Sequence, residues 1–486
     1  MAGNTVTVAG VEVSTDHWIG GQRVASARKF SNFSPVDGAH LAEMSAGGKA
    51  EIDQAVAAAR KAFPAWAALG PKGRLPLLKR FAEGIKARVN DLSAVECMDN
   101  GSLLLGNVHR MVPRASLNIE FFADWALTLE GHSIDSPEVV NHVRYDPSGV
   151  AALITPWNAP LMLTTWKVGP ALAAGNTLVV KPPEWAPMTC SLLADIAHAA
   201  GIPAGVLNIV QGIGEEAGDA LVNHPDVDRI SFTGSTDTAK LIGQAAARLI
   251  TPLSAELGGK SPFIVCADAD LDNAAQTVAT QYLNAGQICL AGTRVMVENS
   301  IEEEFLGRVR NAMTHMVLGD PRDKDTRIGP LITKEHFERV AGFVERAKQA
   351  GAVPVWGGSK ANFGELYFEP TLFRNVSPDL EISQREVFGP VLTWQSFRSD
   401  DEVVALANNT RYGLAATLFS RNEERATSIA SRVTAGTVWV NCYFIRDLAA
   451  PFGGSRDSGI GREGGNWSFD FYCDLKNISI RKGSFA

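Results

Sequence analysis

VLNIVQGIGEEAGDALVNHPDVDRISFTGSTDTAKLIGQAAA, residues 206–247, decides the fold class of this chain. The runs VLNIVQG and RISFTGS each predict a buried strand, and a segment with helical periodicity follows each of them. Upstream, GVAALITPW (149–157) and NTLVVKPP (176–183) predict two more strands, with a helix between them that Gly175 ends. Helix 188–201 follows. Strands that alternate with helices favour a parallel sheet of βαβ units, an architecture of dinucleotide-binding proteins.

A second alternating α/β pattern begins after residue 260, with SPFIVCADA and TRVMVENSI as its first predicted strands. Residues 120–149 interrupt the alternation, because HSID and NHVRYD within them read as strands of a hairpin-like arm. The tail FYCDLKNISIRKG (471–483) also has strand composition. Exposed strands of this kind need partner edges, which another subunit could supply.

Composition narrows the function classes. A chain of 486 residues predicts two or three domains, and a net charge of -8 argues against nucleic-acid binding. Six cysteines without a CxxC pair predict neither a metal site nor a disulfide framework, and they fit a reducing cytoplasm. Neither a signal peptide nor a membrane span is predicted. We therefore expect a cytoplasmic protein.

Three residues form a candidate catalytic set. Cys289 lies in NAGQICLAGTR, Glu256 in LSAELGGKSP and Asn158 in ITPWNAPL. A thiolate that attacks a carbonyl needs donors for the oxyanion, and a carboxylate in an apolar cleft can act as a general base. Taken singly, these residues would more often be a small buried cysteine, a solvated charge and a turn residue.

Three strand-to-helix turns indicate a nucleotide site. QGIGEEAG (211–218) offers glycines without the standard GxGxxG spacing, which is a weak signal by itself. In FTGST, Ser235 and backbone amides could hold a phosphate. In KPPEWAP, Lys181 and Glu184 follow a strand, and a carboxylate there accepts from ribose hydroxyls and repels a 2′-phosphate. This pattern favours NAD over NADP.

Together these stretches resemble the NAD(P)-dependent aldehyde dehydrogenase superfamily. The resemblance runs from about Trp18 to the end of the chain through ITPWN, KPPE, FTGST, ELGGK, GQIC, EVFGPV and PFGGSRDSGIGRE, in the family's order. It implies an α/β fold with a Rossmann-like cofactor domain, an α/β catalytic domain and a small β oligomerisation arm that builds homodimers or dimers of dimers. The implied boundaries are 1–125 and 147–257 for the NAD-binding domain, 258–458 for the catalytic domain, and 126–146 and 470–486 for the arm.

The resemblance also implies residue roles. Cys289 would attack the aldehyde, Asn158 and the Cys289 amide would hold the oxyanion, and Glu256 would activate the water that hydrolyses the thioester. The implied cofactor-binding residues are Ile154, Thr155, Pro156, Trp157, Lys181, Glu184, Gly214, Gly218, Phe232, Ser235, Leu257, Glu386 and Phe388.

The substrate is indicated by NCYFIRDLAAPFGG (441–454). Family members that take apolar aldehydes commonly have an aromatic residue where this chain has Arg446. With Arg114 and Trp166, Arg446 resembles the branch that oxidises hydroxymuconic semialdehydes, including the carboxymethyl-substituted one. Alternatively, Arg446 pairs with Asp447 or Asp457 and contacts no substrate. The residues LAGTR after Cys289 match no single substrate subgroup, so other ω-semialdehydes and aromatic aldehydes from ring degradation are also open. A CoA-acylating semialdehyde dehydrogenase is a further alternative, against which Glu256 argues.

Overall fold

The computed structural model describes residues 3–374 and 376–483, which form two large sheets, one three-stranded sheet and two two-stranded sheets. The first sheet has five parallel strands flanked by antiparallel ones. Its strands are, in spatial order, Gly459–Ile460, Leu253–Leu257, Arg229–Gly234, Val150–Ile154, Thr177–Lys181, Leu207–Ile209, His17–Ile19 and Gln22–Val24. The chain order reverses between Val150–Ile154 and Arg229–Gly234, so the sheet has a switch point where its carboxyl-end loops diverge.

Strand burial explains why these segments form a parallel sheet. Val150–Ile154 is buried along its whole length, with Ala151 and Leu153 in the core on one face of the sheet. Val150 and Ala152 belong to the core on the other face. A strand covered on both faces reads as a continuous apolar run, as the sequence predicted.

Helices cover both faces of the first sheet. Gly175, with φ of 105°, ends helix Pro160–Ala174, as predicted. Ser235 caps helix Thr236–Leu249 by accepting from the Thr238 amide. The helices of this region are Lys49–Ala68, Gly70–Ala87, Val89–Asn100, Leu104–Gly106, Val112–Trp125, Pro160–Ala174, Met188–Ala199, Asp219–Val222, Thr236–Leu249 and Gly465–Tyr472, with π-helical turns Asn107–Met111 and Gly214–Gly218 and the 3₁₀ turn Ala126–Thr128.

Two elements are shorter than the sequence predicted. The strand expected at 206–212 covers only Leu207–Ile209, because the Gln211 amide leaves the ladder and donates to His17 Nδ1. The helix expected at 215–224 is the π-helical turn Gly214–Gly218 followed by one α-helical turn.

The second sheet has six parallel strands and one antiparallel edge strand. In spatial order these are Val353–Trp356, Thr371–Arg374, Val391–Phe397, Arg294–Glu298, Pro262–Val265, Ala415–Phe419 and Thr437–Val440. Its helices are Leu271–Ala279, Glu302–Met313, Lys334–Gln349, Glu381–Gln384, Asp400–Asn408 and Glu423–Arg432, with 3₁₀ turns Thr280–Gly286, Asn299–Ile301 and Arg456–Ser458. Phe263 and Ile264 point into separate cores, so this sheet is also covered on both faces.

The arm sheet is antiparallel and consists of His132–Asp135, Val139–Pro147 and the tail strand Cys473–Arg481. The predicted arm and tail strands therefore pair with each other within one chain. Each outer strand keeps a free edge within the described residues, and the predicted homo-oligomer stays a prediction. Two short hairpins, Thr5–Val8 with Val11–Ser14 and Lys29–Phe33 with His40–Ser45, complete the strands.

No helix within residues 3–374 and 376–483 is long and apolar enough to cross a membrane. Over the same ranges, no group of three or more His, Cys, Asp or Glu side chains is placed to hold a metal ion.

Candidate active site

The predicted site residues gather where the parallel strands of the first sheet end. Strands Val150–Ile154, Thr177–Lys181, Arg229–Gly234 and Leu253–Leu257 run in the same direction, so their following loops lie at one edge. A cavity of about 550 Å³ opens there toward the second sheet. Asn158, Glu256, Cys289, Trp166, Leu257 and Arg446 all line it.

Cys289 follows a tightly turned segment of the chain. Asn284 and Ala285 have left-handed φ values of 53° and 52°, and Gly286 has 69°. A Cβ at Gly286 would lie 2.2 Å from the Gly389 carbonyl oxygen, so only glycine fits this approach. Desolvation, followed by the charges of Glu386 and Glu256, raises the pKa of the Cys289 thiol to about 12.

Glu256 occupies a buried position on strand Leu253–Leu257, with 6% of its surface exposed. Neither carboxyl oxygen has a hydrogen-bond partner among the described residues. Gly453 leaves room for it, since a Cβ there would lie 2.6 Å from Glu256 Oε1. Desolvation first, and then the negative charge of Glu463, raises the pKa of Glu256 well above its ordinary value. A carboxyl group with these properties suits general-base chemistry near neutral pH.

Glu463 and Lys167 were not singled out from the sequence, yet they form a buried ion pair beside Glu256. Lys167 Nζ donates to Glu463 Oε1 at 2.8 Å and to Ser231 Oγ at 2.9 Å. The Trp166 indole N–H donates to the other Glu463 oxygen. These contacts hold the Glu463 carboxylate in the position from which it acts on Glu256. Glu463 lies within the quoted motif PFGGSRDSGIGRE, so the only sequence signal was its place in that stretch.

Asn158 connects the first sheet to the nucleophile loop. Its Nδ2 donates to the Gln287 carbonyl at 2.9 Å, and its own carbonyl accepts from Asn284 Nδ2 at 3.3 Å. Both partners lie within five residues of Cys289 along the chain. The amide group is therefore held next to the loop that presents the thiol.

Four of the predicted cofactor residues meet beyond strand Thr177–Lys181. Lys181 Nζ and Glu184 Oε2 form an ion pair at 2.7 Å. A Cβ at Gly214 would have Glu184 as its nearest neighbour at 4.0 Å, and a Cβ at Gly218 would lie 3.8 Å from Lys181. The glycine turn thus faces the Lys181–Glu184 pair across open space.

Other predicted cofactor residues lie along the same edge. The rings of Trp157 and Phe388 pack edge to face with centroids 5.3 Å apart. Glu386 Oε1 accepts from the Gly259 amide at 3.0 Å, and burial raises the pKa of Glu386 to about 7. Ser235 caps its helix, as described above. Ile154, Thr155 and Phe232 are buried at the strand ends, Pro156 is half-buried, and Leu257 lines the cavity.

Arg446 lies between two aromatic rings inside the cavity. Its guanidinium carbon is 4.3 Å from the centroid of Trp166 and 3.8 Å from that of Phe452. Its Nε and Nη2 atoms are buried and have no hydrogen-bond partner among the described residues. Desolvation, followed by the charge of Arg114, lowers the pKa of Arg446 to about 10. The ring faces stabilise this cation, and the Glu256 and Glu463 carboxylates act on it through the cavity without forming an ion pair with it.

The alternative pairing of Arg446 with an aspartate is wrong. Asp457 pairs with Arg411, and Asp447 Oδ1 accepts from the Ala449 amide. Within residues 3–374 and 376–483, Arg446 forms no ion pair.

A smaller cavity of about 330 Å³ adjoins the guanidinium of Arg446. Arg114 lines this cavity, where its Nε donates to Asn118 Oδ1 at 3.1 Å and its Nη1 to the Arg446 carbonyl at 3.4 Å. Arg110 lines both cavities and was missed from the sequence. The signal that could have found it is its position four residues before Arg114, which places both on one helical face. Three arginines therefore line the smaller cavity, and two of them, Arg110 and Arg446, also line the cavity that holds Cys289.

Comparison with known proteins identifies the family. The model of the aldehyde dehydrogenase family matches residues 22–478. The chain belongs to the aldehyde dehydrogenase family. Membership confirms two predictions, the α/β aldehyde dehydrogenase fold and an NAD-dependent oxidoreductase that acts on the aldehyde group.

Relatives of this aldehyde dehydrogenase include the 2-hydroxymuconic semialdehyde dehydrogenase of Pseudomonas sp. (strain CF600), 42% identical over 96% of this chain and 99% of the relative. The 2-aminomuconic semialdehyde dehydrogenase of Danio rerio is 40% identical over 96% of this chain and 98% of the relative. Among solved structures, the indole-3-acetaldehyde dehydrogenase AldA of P. syringae, a mutant in complex with NAD+ and IAA, matches with a TM-score of 0.95 and 37% identity over 97% of each chain.

Proposed function

We propose that this aldehyde dehydrogenase oxidises a carboxylate-bearing semialdehyde of the hydroxymuconic type to the corresponding acid, with NAD+ as the hydride acceptor. The observation that carries the proposal is the buried, unpaired guanidinium of Arg446 in the cavity that holds Cys289. A buried cation without a hydrogen-bonded anion is costly, and a substrate carboxylate that accepts from it would lower that cost. The names of the relatives in two groups of organisms point to the same substrate class.

In the first step, the Cys289 thiol gives its proton to solvent, Sγ forms a bond to the aldehyde carbon as the C=O π bond breaks, and the carbonyl oxygen becomes an oxyanion. Asn158 Nδ2 and the Cys289 amide are the donors we assign to it, and Asn158 would exchange its bond to the Gln287 carbonyl for this one. A donor of this kind is typically worth roughly 2.7–4 kcal/mol in the transition state.

The residues at the sheet edge fit a dinucleotide. Lys181 and Glu184 face open space and would hold the adenosine ribose, and Ser235 at a helix N-terminus would hold the pyrophosphate. Glu386 and Phe388 would hold the nicotinamide half. Bound NAD+ would accept the hydride that leaves the substrate carbon, which converts the adduct on Cys289 into a thioester.

Glu256 completes the reaction. Ionised Glu256 would take a proton from water as the water oxygen attacks the thioester carbon, and the acid would leave as the Cys289–carbon bond breaks. Because Glu256 shares the cavity with Cys289, water rather than CoA is the acceptor we propose.

Arg446→Ala tests the substrate class. For a hydroxymuconic semialdehyde we expect kcat/KM to fall by more than about tenfold, because removing one member of a buried charge pair typically costs roughly 2–5 kcal/mol. A neutral aldehyde of similar length should change little. The measurement is NADH formation with both substrates. Arg432→Ala is the matched control, because Arg432 is exposed at the end of helix Glu423–Arg432.

An equal loss for both aldehydes, or no loss for either, would contradict the proposal. The substrate would then be sought among aromatic aldehydes and other ω-semialdehydes.

Glu184→Ala tests the choice of cofactor. The carboxylate would repel a 2′-phosphate, so its removal should raise kcat/KM for NADP+ by roughly tenfold while lowering that for NAD+. Steady-state kinetics with each cofactor give both values. Glu215→Ala, an exposed glutamate on the nearby turn, should leave both values unchanged. A wild-type enzyme that already prefers NADP+ would refute the NAD assignment.

A further inference from the structure

Side chains of one helix that packs beside the second sheet form hydrogen bonds with three consecutive backbone carbonyl groups. Helix Lys334–Gln349 carries His336 and Arg339, which are three residues apart and lie on one face. Arg339 Nη2 donates to the Glu386 carbonyl at 2.7 Å, and Arg339 Nη1 donates to that of Val387. His336 Nε2 lies 2.7 Å from the Phe388 carbonyl oxygen. Every backbone oxygen from Glu386 to Phe388 is thus held by a side chain of this helix.

The charge state of His336 follows from its surroundings. Desolvation lowers the pKa of His336 to about 4, so the ring is neutral at physiological pH. A carbonyl oxygen only accepts, and therefore the proton of the neutral ring is on Nε2. His336 is a neutral donor whose ring also packs against Trp157, with centroids 5.3 Å apart.

The held segment needs this restraint. Phe388 has a φ of 57°, a left-handed conformation that is unfavourable for a residue with a side chain and persists only where surrounding contacts hold it. The helix also approaches Gly389 closely, because a Cβ there would lie 2.7 Å from Val340 Cγ2. In turn, the Gly389 carbonyl packs against Gly286, three residues before Cys289. The segment Glu386–Phe388 therefore lies between helix Lys334–Gln349 and the loop that carries Cys289.

The segment presents two side chains toward the first sheet. The Glu386 carboxyl group accepts a hydrogen bond from the Gly259 amide. The Phe388 ring packs edge to face with Trp157, which directly precedes Asn158. A shift of the three carbonyls would move both side chains together. Displacements of about 1 Å in such groups can cost roughly 10²-fold in rate.

We infer that His336 and Arg339 are positioning residues that hold the backbone of Glu386–Phe388, so that the nicotinamide half of the cofactor is placed correctly for hydride transfer. This inference rests on the proposed cofactor-binding role of Glu386 and Phe388. The two residues act through the segment and do not take part in bond making.

The test compares His336→Phe, which keeps a ring and removes the donor, with His336→Gln, which keeps an N–H donor. For His336→Phe we expect kcat to fall by about tenfold or more. The deuterium isotope effect with aldehyde labelled at C1 should rise, while the Kd for NAD+ changes little because the adenosine half is held elsewhere. His336→Gln should recover most of the rate. Arg339→Met should resemble His336→Phe.

Arg346→Ala is the matched control, since Arg346 lies on the same helix but pairs with Glu381. Thermal denaturation checks each variant for folding, and if His336→Phe does not fold, Arg339→Met decides. An unchanged kcat and isotope effect in folded His336→Phe or Arg339→Met would overturn the inference.

Phe388→Ala and Glu386→Gln separate this failure from a failure of the proposed function. If they impair hydride transfer while the folded helix variants do not, only the positioning role is refuted. If Phe388→Ala and Glu386→Gln are also silent, the proposed cofactor placement falls and the inference falls with it.

Discussion

Cys289→Ala is expected to abolish aldehyde oxidation, with kcat/KM reduced by at least about 10⁴-fold. The proposed reaction needs a covalent bond from Sγ to the aldehyde carbon, and alanine cannot form it. Cys442 also lines the cavity, but it lies in the loop after strand Thr437–Val440 and is not part of the proposed catalytic set. NADH formation measured over several hours, with NAD+ affinity measured separately, gives the result.

Cys442→Ala is the control for this substitution, because it removes a second thiol from the same cavity and should retain most of the activity. Cys289→Ala should still bind NAD+, since the proposed cofactor contacts do not involve its sulfur. Substantial turnover by Cys289→Ala, or a complete loss in Cys442→Ala alone, would reassign the nucleophile.

Glu256→Gln is expected to reduce kcat by roughly 10²–10⁴-fold, the usual contribution of a general base. The time course of NADH release distinguishes this variant from others that are slow. The thioester should still form on Cys289, so each active site should release about one NADH in a rapid burst and then stall. Rapid-mixing absorbance and mass measurement of the acylated protein both report this state. A variant without a burst would show that Glu256 acts before hydride transfer.

The pH dependence follows from the burial of Glu256. Because desolvation and Glu463 raise its pKa, the carboxyl group is protonated at pH values where an exposed glutamate is ionised. The base form therefore accumulates as pH rises, and the deacylation rate should increase through a pKa well above the ordinary one. Glu463→Gln removes a negative charge and should shift this rise to lower pH, provided that the variant remains folded.

The parts of the fold that follow from local sequence were predictable. The ends of apolar strands at Pro or Gly, and of helices at residues such as Gly175, depend on the backbone preferences of a few neighbouring residues. The strand-end positions of Lys181, Ser235 and Glu256 follow from this pattern, because parallel strands bring their carboxyl ends to one edge. Cys289 was a candidate from its sequence setting, and the resemblance to a known family assigned it the role of nucleophile.

The contacts that link distant segments were not predictable. His336 and Arg339 read as ordinary residues of an amphipathic helix until the structure places the Glu386–Phe388 carbonyls beside them. The same holds for Lys167, whose partner Glu463 is 296 positions away. Arg446 is a second case in which the sequence alone did not determine the contacts of a side chain. The sequence left open an aspartate partner, and the structure excludes it, because Arg446 packs between Trp166 and Phe452 while Asp457 pairs with Arg411.

Two paired strands of the arm sheet are synthesised at very different times. Strand Val139–Pro147 is made early, but its tail partner Cys473–Arg481 comes much later, and the neighbouring bond from Ser148 to the Tyr472 carbonyl spans 324 positions. At ~5–20 residues per second, a ribosome needs roughly 15–65 s to cover that distance. During this interval the nascent chain displays an unpaired strand edge, which is a template for pairing with other chains. The edge of Val139–Pro147 is therefore covered only after Cys473–Arg481 has left the ribosome.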